Sequence, residues 1–369
     1  MIINWRFVLK VVGFIIILES LFLFSAAVIA YHYGGDDTLP IFLSGIIALS
    51  AGLLLEYICG FRKKFTVIGR KEGYVSVTLS WLVFALFGAL PFFIGGYLPD
   101  FTDAWFESTA GITTTGASVL TDIDALPKGI LFWRSLLQWL GGMGIIVFSI
   151  ALLPLLGNGA VQLFDAESSG LTHDKFRPRV TQMAKRLWLL YVILTFCLIG
   201  LLYLGPMNFF DAVCNSMTTI STGGFSTRQA SVAHWDSIYI ESVILVFMII
   251  GAINFPLLYL LFTKGAVKRF IKDEELRWFL GIILVATLLI AVGLFLEQDL
   301  SWFTAIRQSL FQVVSVITTT GFSTADFSFW GSFYMLIFVF LMIVSGCAGS
   351  TSGGLKVVRA TVLVKNTIH

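Results

Sequence analysis

Three short segments of this chain place hydroxyl and glycine residues in one repeated order. They read Ile112-Thr-Thr-Thr-Gly116-Ala-Ser118, Ile220-Ser-Thr-Gly-Gly224-Phe-Ser226 and Ile317-Thr-Thr-Thr-Gly321-Phe-Ser323, with the glycines about 100 residues apart. Threonine hydroxyls and backbone carbonyls are oxygen donors, and rings of them can replace the hydration shell of a cation. Glycine permits positive φ, so successive carbonyls can turn toward a common axis. The candidate coordinating residues are Thr114, Thr115 and Gly116, then Thr222, Gly223 and Gly224, then Thr319, Thr320 and Gly321. A bound cation is expected at Thr115, Gly116, Gly223, Gly224, Thr320 and Gly321. One such cluster alone reads as a close helix crossing, where small and hydroxyl residues are common. Three copies in one register favour the ion-coordinating reading. Competing chemistries are thin. The four histidines (His32, His173, His234, His369) are not paired with a ligand or catalytic partner inside an apolar run, and Cys59, Cys197, Cys214 and Cys347 have neither disulfide nor zinc spacing. The chain is therefore not expected to be an enzyme.

The elements that position these clusters follow from composition. Of 369 residues, 57% are hydrophobic and 12% charged, with 35 Phe and 34 Gly. Soluble domains carry about 25% charged residues, so the chain is read as a multi-span membrane protein. Its net charge of +2 gives no case for nucleic acid. Apolar runs near the ~20 residues needed to cross a bilayer occur at about 7–31, 39–60, 74–98, 129–157, 187–205, 237–263, 278–296 and 331–346. Glu19 and Glu56 fall within the first two, and a membrane carboxylate should face protein or water. Arg62, Lys63, Lys64, Lys175, Lys185, Arg186, Lys264, Lys268, Arg269 and Lys272 fill alternate connections, while Asp36, Asp37, Asp100, Asp122, Asp124 and Asp326 fill the others. By the positive-inside rule the basic set and the N-terminus are cytoplasmic.

Each hydroxyl–glycine cluster lies between two such runs and follows about ten residues beginning at Asp103 or Asp211. Ten residues make a half-helix of roughly 15 Å, too short to cross. Asp103 and Asp211 are expected to cap its outer end. Its C-terminal end then points into the membrane, where its negative dipole end favours a cation. Non-helical backbone is tolerated at that depth only when buried in protein or lining water.

The helix after each cluster carries a glycine disturbance: Gly141-Gly142-Met-Gly144, then Gly251-Ala-Ile-Asn254-Phe-Pro256, then Gly346-Cys-Ala-Gly349-Ser350-Thr351-Ser352-Gly353-Gly354-Leu-Lys356. The third has poor helix propensity throughout and reads either as an intramembrane loop across the pore, gating it with Lys356 as a barrier or hinge contact, or as a kinked helix end.

These residues together resemble the TrkH family of bacterial potassium uptake proteins, within the Trk/Ktr/HKT superfamily of cation transporters. The resemblance rests on the three clusters, on Gln138-Trp-Leu-Gly-Gly-Met-Gly144, on Lys175-x-x-Pro178-Arg179, and on the run Gly346 to Arg359. It implies an all-α integral membrane fold of repeated helix–pore loop–helix units around a pseudo-fourfold pore. Two leading helices (1–66) precede repeats at 67–160, 161–265 and 266–369, so three of the four family repeats are expected, and the chain is expected to be a fragment or a naturally short form. The resemblance further implies K+ as the transported ion, a homodimer, a cytosolic RCK-type nucleotide-binding regulatory subunit with no nucleotide on this chain, and a bacterial inner-membrane location. A truncated or non-conducting scaffold, or a Na+/K+-permeable relative, remains the alternative.

Overall fold

The computed structural model describes residues 3–60, 70–156, 177–298 and 300–368. Arg62, Lys63, Lys64 and Lys175, part of the basis for orientation, lie outside them. Among the described residues all regular structure is helical. Two long helices open the chain, α1 (Trp5–His32) and α2 (Thr38–Cys59). They cross where Gly13 faces Gly52, and a Cβ on Gly52 would press on the Gly13 carbonyl and the Ile17 backbone. Glu19 and Glu56 are both buried in protein rather than turned to lipid.

Three units of helix, half-helix and helix follow. The first is α3 (Arg70–Gly88) with its short continuation α4 (Leu90–Ile94), then α5 (Phe101–Ile112) and α6 (Lys128–Leu156). The second is α7 (Arg177–Tyr203), α8 (Phe209–Ile220), α9 (Ile238–Ala252) and α10 (Phe255–Lys264). A short basic helix, α11 (Val267–Lys272), leads into the third: α12 (Glu274–Glu297), α13 (Trp302–Ile317), α14 (Ser332–Val344) and, after a loop, α15 (Val357–Ile368). Among the described residues, five helical segments are long and apolar enough to cross a membrane by themselves, and α9 with α10 makes a sixth that is bent by 105° at Ile253–Asn254.

The half-helices run 12, 12 and 16 residues. Their caps are Asp100, Asn208 and Ser301, whose side chains accept from Thr102, Asp211 and Thr304 backbone N–H groups. This corrects the expectation for Asp103 and Asp211. A cap needs non-helical backbone, as Asp100 (ψ 126°) and Asn208 (ψ 163°) have, whereas Asp103 and Asp211 already lie in the first turn, where their charge meets the helix dipole instead.

Each half-helix packs between the two long helices of its own unit. In addition α6 packs on α8, and α9 packs on α13. The closing helix of one unit thus supports the half-helix of the next, which turns a linear repeat into an arrangement around an axis. Among the described residues two large hydrophobic cores result, one mainly over α1–α6, the other over α7–α15, with Trp139 and Met143 packed against both, and a small third cluster joins Ile123 and Leu131 to Phe210 and Cys214.

Candidate ion-coordinating site

The three hydroxyl–glycine clusters adopt one backbone conformation. The second residue after each half-helix is a threonine in the left-handed region, Thr114 (φ 56°), Thr222 (φ 52°) and Thr319 (φ 58°), and the fourth is a left-handed glycine, Gly116 (φ 76°), Gly224 (φ 80°) and Gly321 (φ 82°). Hydrogen bonds repeat with the geometry. The N–H groups of Thr115 and Gly116 both turn back to the Ala110 carbonyl, those of Gly223 and Gly224 to Thr218, and those of Thr320 and Gly321 to Ser315, at 2.9–3.4 Å. A β-branched residue at positive φ is a conformational outlier that costs of order 1–3 kcal/mol. It recurs at the same place in all three loops, with the same hydrogen bonds, so it is a built feature of the repeat.

The loops meet one another in order. A Cβ on Gly116 would collide with the Gly223 carbonyl oxygen, and one on Gly224 with the Thr320 carbonyl oxygen. Glycine is needed at both positions for φ and for space. The series then opens: a Cβ on Gly321 meets no described atom within 4 Å. On that side lies a cavity of about 240 Å³, lined by Thr115, Gln312, Ser315, Thr319, Gly321 and Met342 among others.

Behind the loops stand side chains to which the sequence patterns gave no role. Gln138 on α6 donates from Nε2 to the Gly223 carbonyl (2.7 Å) and accepts the Phe225 N–H on Oε1 (3.0 Å), fixing the second loop from both sides. The Gly223 carbonyl therefore has one lone pair left for any other partner. In the first unit Glu107 and Arg134 form a buried pair (Nε to Oε1 2.9 Å) at 0% and 1% exposure. Glu107 also accepts from Ser118 Oγ and Val119 N–H, and Arg134 donates to the Ser226 carbonyl and lies 4.1 Å over the Phe225 ring. In the third unit Gln312 donates to the Ala325 carbonyl and Ser315 Oγ to the Phe322 carbonyl. Glu107, Asn215 and Gln312 all stand five residues before the conserved-in-register isoleucine of their half-helices. That register was the signal available in the sequence; their partners were not.

The segment 345–356 is a loop, entered at Ser345 (φ 57°) and left at Lys356 (φ 72°). It lies directly against two of the three clusters. Gly353 N–H donates to Thr319 Oγ1 (2.9 Å), and Thr351 Oγ1 donates to the Ile220 and Gly251 carbonyls (both 3.0 Å) and lies 3.4 Å from Thr222 Oγ1. The loop is also pinned to the break between α9 and α10: Cys347 N–H donates to the Ala252 carbonyl and Phe255 N–H to the Gly349 carbonyl. Gly346, Ser350, Thr351 and Ser352 are buried, whereas Gly349, Gly353 and Gly354 are exposed. The Lys356 amine folds back on the loop itself, to the Ser352 carbonyl and the hydroxyls of Ser350 and Ser352.

Among the described residues no group of three or more His, Cys, Asp or Glu side chains is placed to hold a metal ion. The oxygens gathered where the units meet are carbonyls and hydroxyls, donors suited to a weakly held monovalent cation.

A family model for the TrkH cation transport protein matches residues 39–369. The Trk system potassium uptake protein TrkH of Salmonella typhimurium is 39% identical over 366 residues, covering 98% of this chain and 75% of that protein. Trk system potassium uptake protein TrkG of Escherichia coli is 33% identical, over 99% of this chain and 75% of its own length. The crystal structure of the potassium transporter TrkH from Vibrio parahaemolyticus superposes with a TM-score of 0.88 at 36% identity, covering all of this chain and 77% of that one.

Proposed function

The chain belongs to the TrkH family of cation transport proteins, and from that premise we propose that it forms a potassium-conducting pore whose selectivity filter is built by the three hydroxyl–glycine loops. The observation that carries the reading is their common backbone, with a strained threonine and a left-handed glycine in each and a carbonyl of one loop laid against the glycine of the previous one. Carbonyls and hydroxyls at Thr115, Gly116, Gly223, Gly224, Thr320 and Gly321 then replace the ion's water, and the C-terminal ends of α5, α8 and α13 add negative dipole ends. Selective conduction also requires a protein wall on the side between Gly321 and Gly116, which the described residues leave open.

The loop 346–354 is the gate in this reading. It sits under the second and third filter loops, bonded to Thr319 and beside Thr222, and so blocks the path. Lys356 holds the loop's own serines and thereby sets its shape. The exposed basic residues Lys264, Lys268, Arg269 and Lys272 support a cytoplasmic position for the α10–α11 connection. With it go a cytoplasmic N-terminus and an inner-membrane location. A homodimer and a cytosolic RCK-type nucleotide-binding subunit complete the proposal, and these two rest on the family alone.

The test is the Gly116→Ser substitution in the full-length protein reconstituted in liposomes. The new Cβ meets the Gly223 carbonyl, so the preference for Rb+ or K+ over Na+ should fall by about tenfold or more, the equivalent of ~1.4 kcal/mol. Unchanged discrimination would remove Gly116 from the filter. A protein that conducts neither ion in any form would favour a non-conducting scaffold.

A further inference from the structure

One hydrogen bond to the gate loop comes from a side chain outside both the loop and the filter. The Ala348 N–H donates to Oε1 of Glu275 at 2.6 Å. The loop's other outside anchors noted above are backbone carbonyls of α8, the α9–α10 break and one filter threonine, all belonging to the pore wall. Glu275 stands apart from these anchors, on the opening helix of the unit that contributes the loop. It lies in the first turn of α12, two residues past Asp273, whose side chain caps that helix by accepting the Leu276 N–H (2.9 Å). Immediately before it runs the elbow formed by Gly265 (φ 57°) and the basic helix α11, whose Val267 and Ile271 are exposed and which packs on α12. The neighbouring Glu274 pairs with Lys365 on α15, the helix that leaves the gate loop. Two adjacent carboxylates at the start of α12 thus hold the gate loop in its middle and the helix that follows it.

The arrangement has a mechanical sense. A carboxylate accepting a backbone N–H is a charge-assisted bond, stronger than a neutral one. It is partly exposed, so it can be broken without emptying a buried core. The backbone clamps at Ala252 and Gly349 tie the loop to the α9–α10 break, whereas Glu275 ties it to α12, the helix on which α11 packs. We propose that Glu275 is a positioning residue of the gate, latching the loop 346–354 against the filter through the Ala348 N–H, so that displacement of the α11 elbow is felt at the pore. The inference rests on the reading of 346–354 as the gate.

The experiment measures ⁸⁶Rb+ flux of the full-length protein in liposomes for three variants and follows amide hydrogen exchange of the peptide containing Ala348. Deletion of residues 347–353 sets the ungated level. Glu275→Ala removes the acceptor and should raise resting flux by about tenfold, the order expected for one charge-assisted hydrogen bond, with faster exchange at Ala348. Glu275→Gln keeps an acceptor oxygen without its charge and should fall between wild type and E275A in both quantities, a partial rescue that general destabilisation would not show. If E275A gives no folded protein, Glu275→Asp, which withdraws the acceptor by one methylene, carries the same expectation. A deletion that raises flux while E275A does not, or an E275Q as leaky as E275A, overturns the latch and leaves the gate standing. A deletion that leaves flux unchanged overturns the gate and the latch with it.

Discussion

Gln138 braces the second hydroxyl–glycine loop with both ends of a single amide, one on the Gly223 carbonyl and one on the Phe225 N–H. Gln138→Leu would leave both backbone groups buried without a partner, at about 1–3 kcal/mol each. Thermal unfolding in detergent should therefore move to lower temperature, and selectivity for K+ over Na+ should fall. A variant with wild-type stability and selectivity would show that the brace is dispensable. The Glu107–Arg134 pair allows a sharper comparison. Removing one partner strands a buried charge, which costs about 3–5 kcal/mol, while replacing both by apolar residues of similar volume is often close to neutral. Glu107→Leu and Arg134→Met should each abolish recovery of folded protein, and the double variant should regain much of it, as read by size-exclusion chromatography. Equal loss in all three would mean that the bonds to Ser118, Val119 and Ser226 dominate instead. At this scale the sequence exposes its backbone-forming residues well, because Thr-x-Gly recurs in register. It hides the bracing pairs, since Glu107 and Arg134 are 27 residues apart and Gln138 reaches across 85 to Gly223, separations that no local periodicity records.

The three glycine disturbances share a sequence position and end in three different structures. At Gly141–Gly144 the helix α6 runs on unbroken, and the glycines serve close approach: a Cβ on Gly141 would collide with the Ile112 carbonyl at the end of α5, and one on Gly142 would press on Ser221. At Gly251–Pro256 the helix breaks and turns by 105°, with Asn254 capping the new helix by accepting the Leu257 N–H. At 345–356 helix is abandoned altogether. Composition separates the last case, because a long run of small and polar residues cannot sustain a helix. It cannot separate the first two, since glycine both weakens a helix and lets another backbone touch it. Gly141→Ala should therefore abolish transport by displacing α5. Gly144→Ala should be tolerated, as its Cβ would meet Trp81 at 3.6 Å, an ordinary contact. Rb+ uptake by cells expressing each variant decides the matter, and equal activity in the two would refute the close-packing role. Hydropathy located most of the long helices to within a few residues but missed the first ten of α7, which starts at Arg177, and the break in 237–263, whereas the cap positions were displaced by three, from Asp103 to Asp100 and from Asp211 to Asn208. Either aspartate fits a cap by type, and only backbone dihedrals decide between them.

Across the whole molecule, the order in which α6 supports α8 and α9 supports α13 follows the order of the chain. The repeat could be read from the sequence, but this handing-on of support from unit to unit could not, because it depends on how helices far apart in the chain dock. The same docking carries the second core into contact with the first through Trp139 and Met143. It also sets the loop 346–354, contributed by the third unit, beneath loops of the second and third. One of its contacts, the Gly353 N–H on Thr319 Oγ1, joins the loop to the third hydroxyl–glycine cluster itself. That single bond makes two equilibria share a partner. Whatever factor the seated loop applies to a cation's affinity at the third hydroxyl–glycine cluster, the cation must apply to the seating of the loop. In the proposed pore the permeating ion is then a ligand of the loop 346–354 as well as cargo.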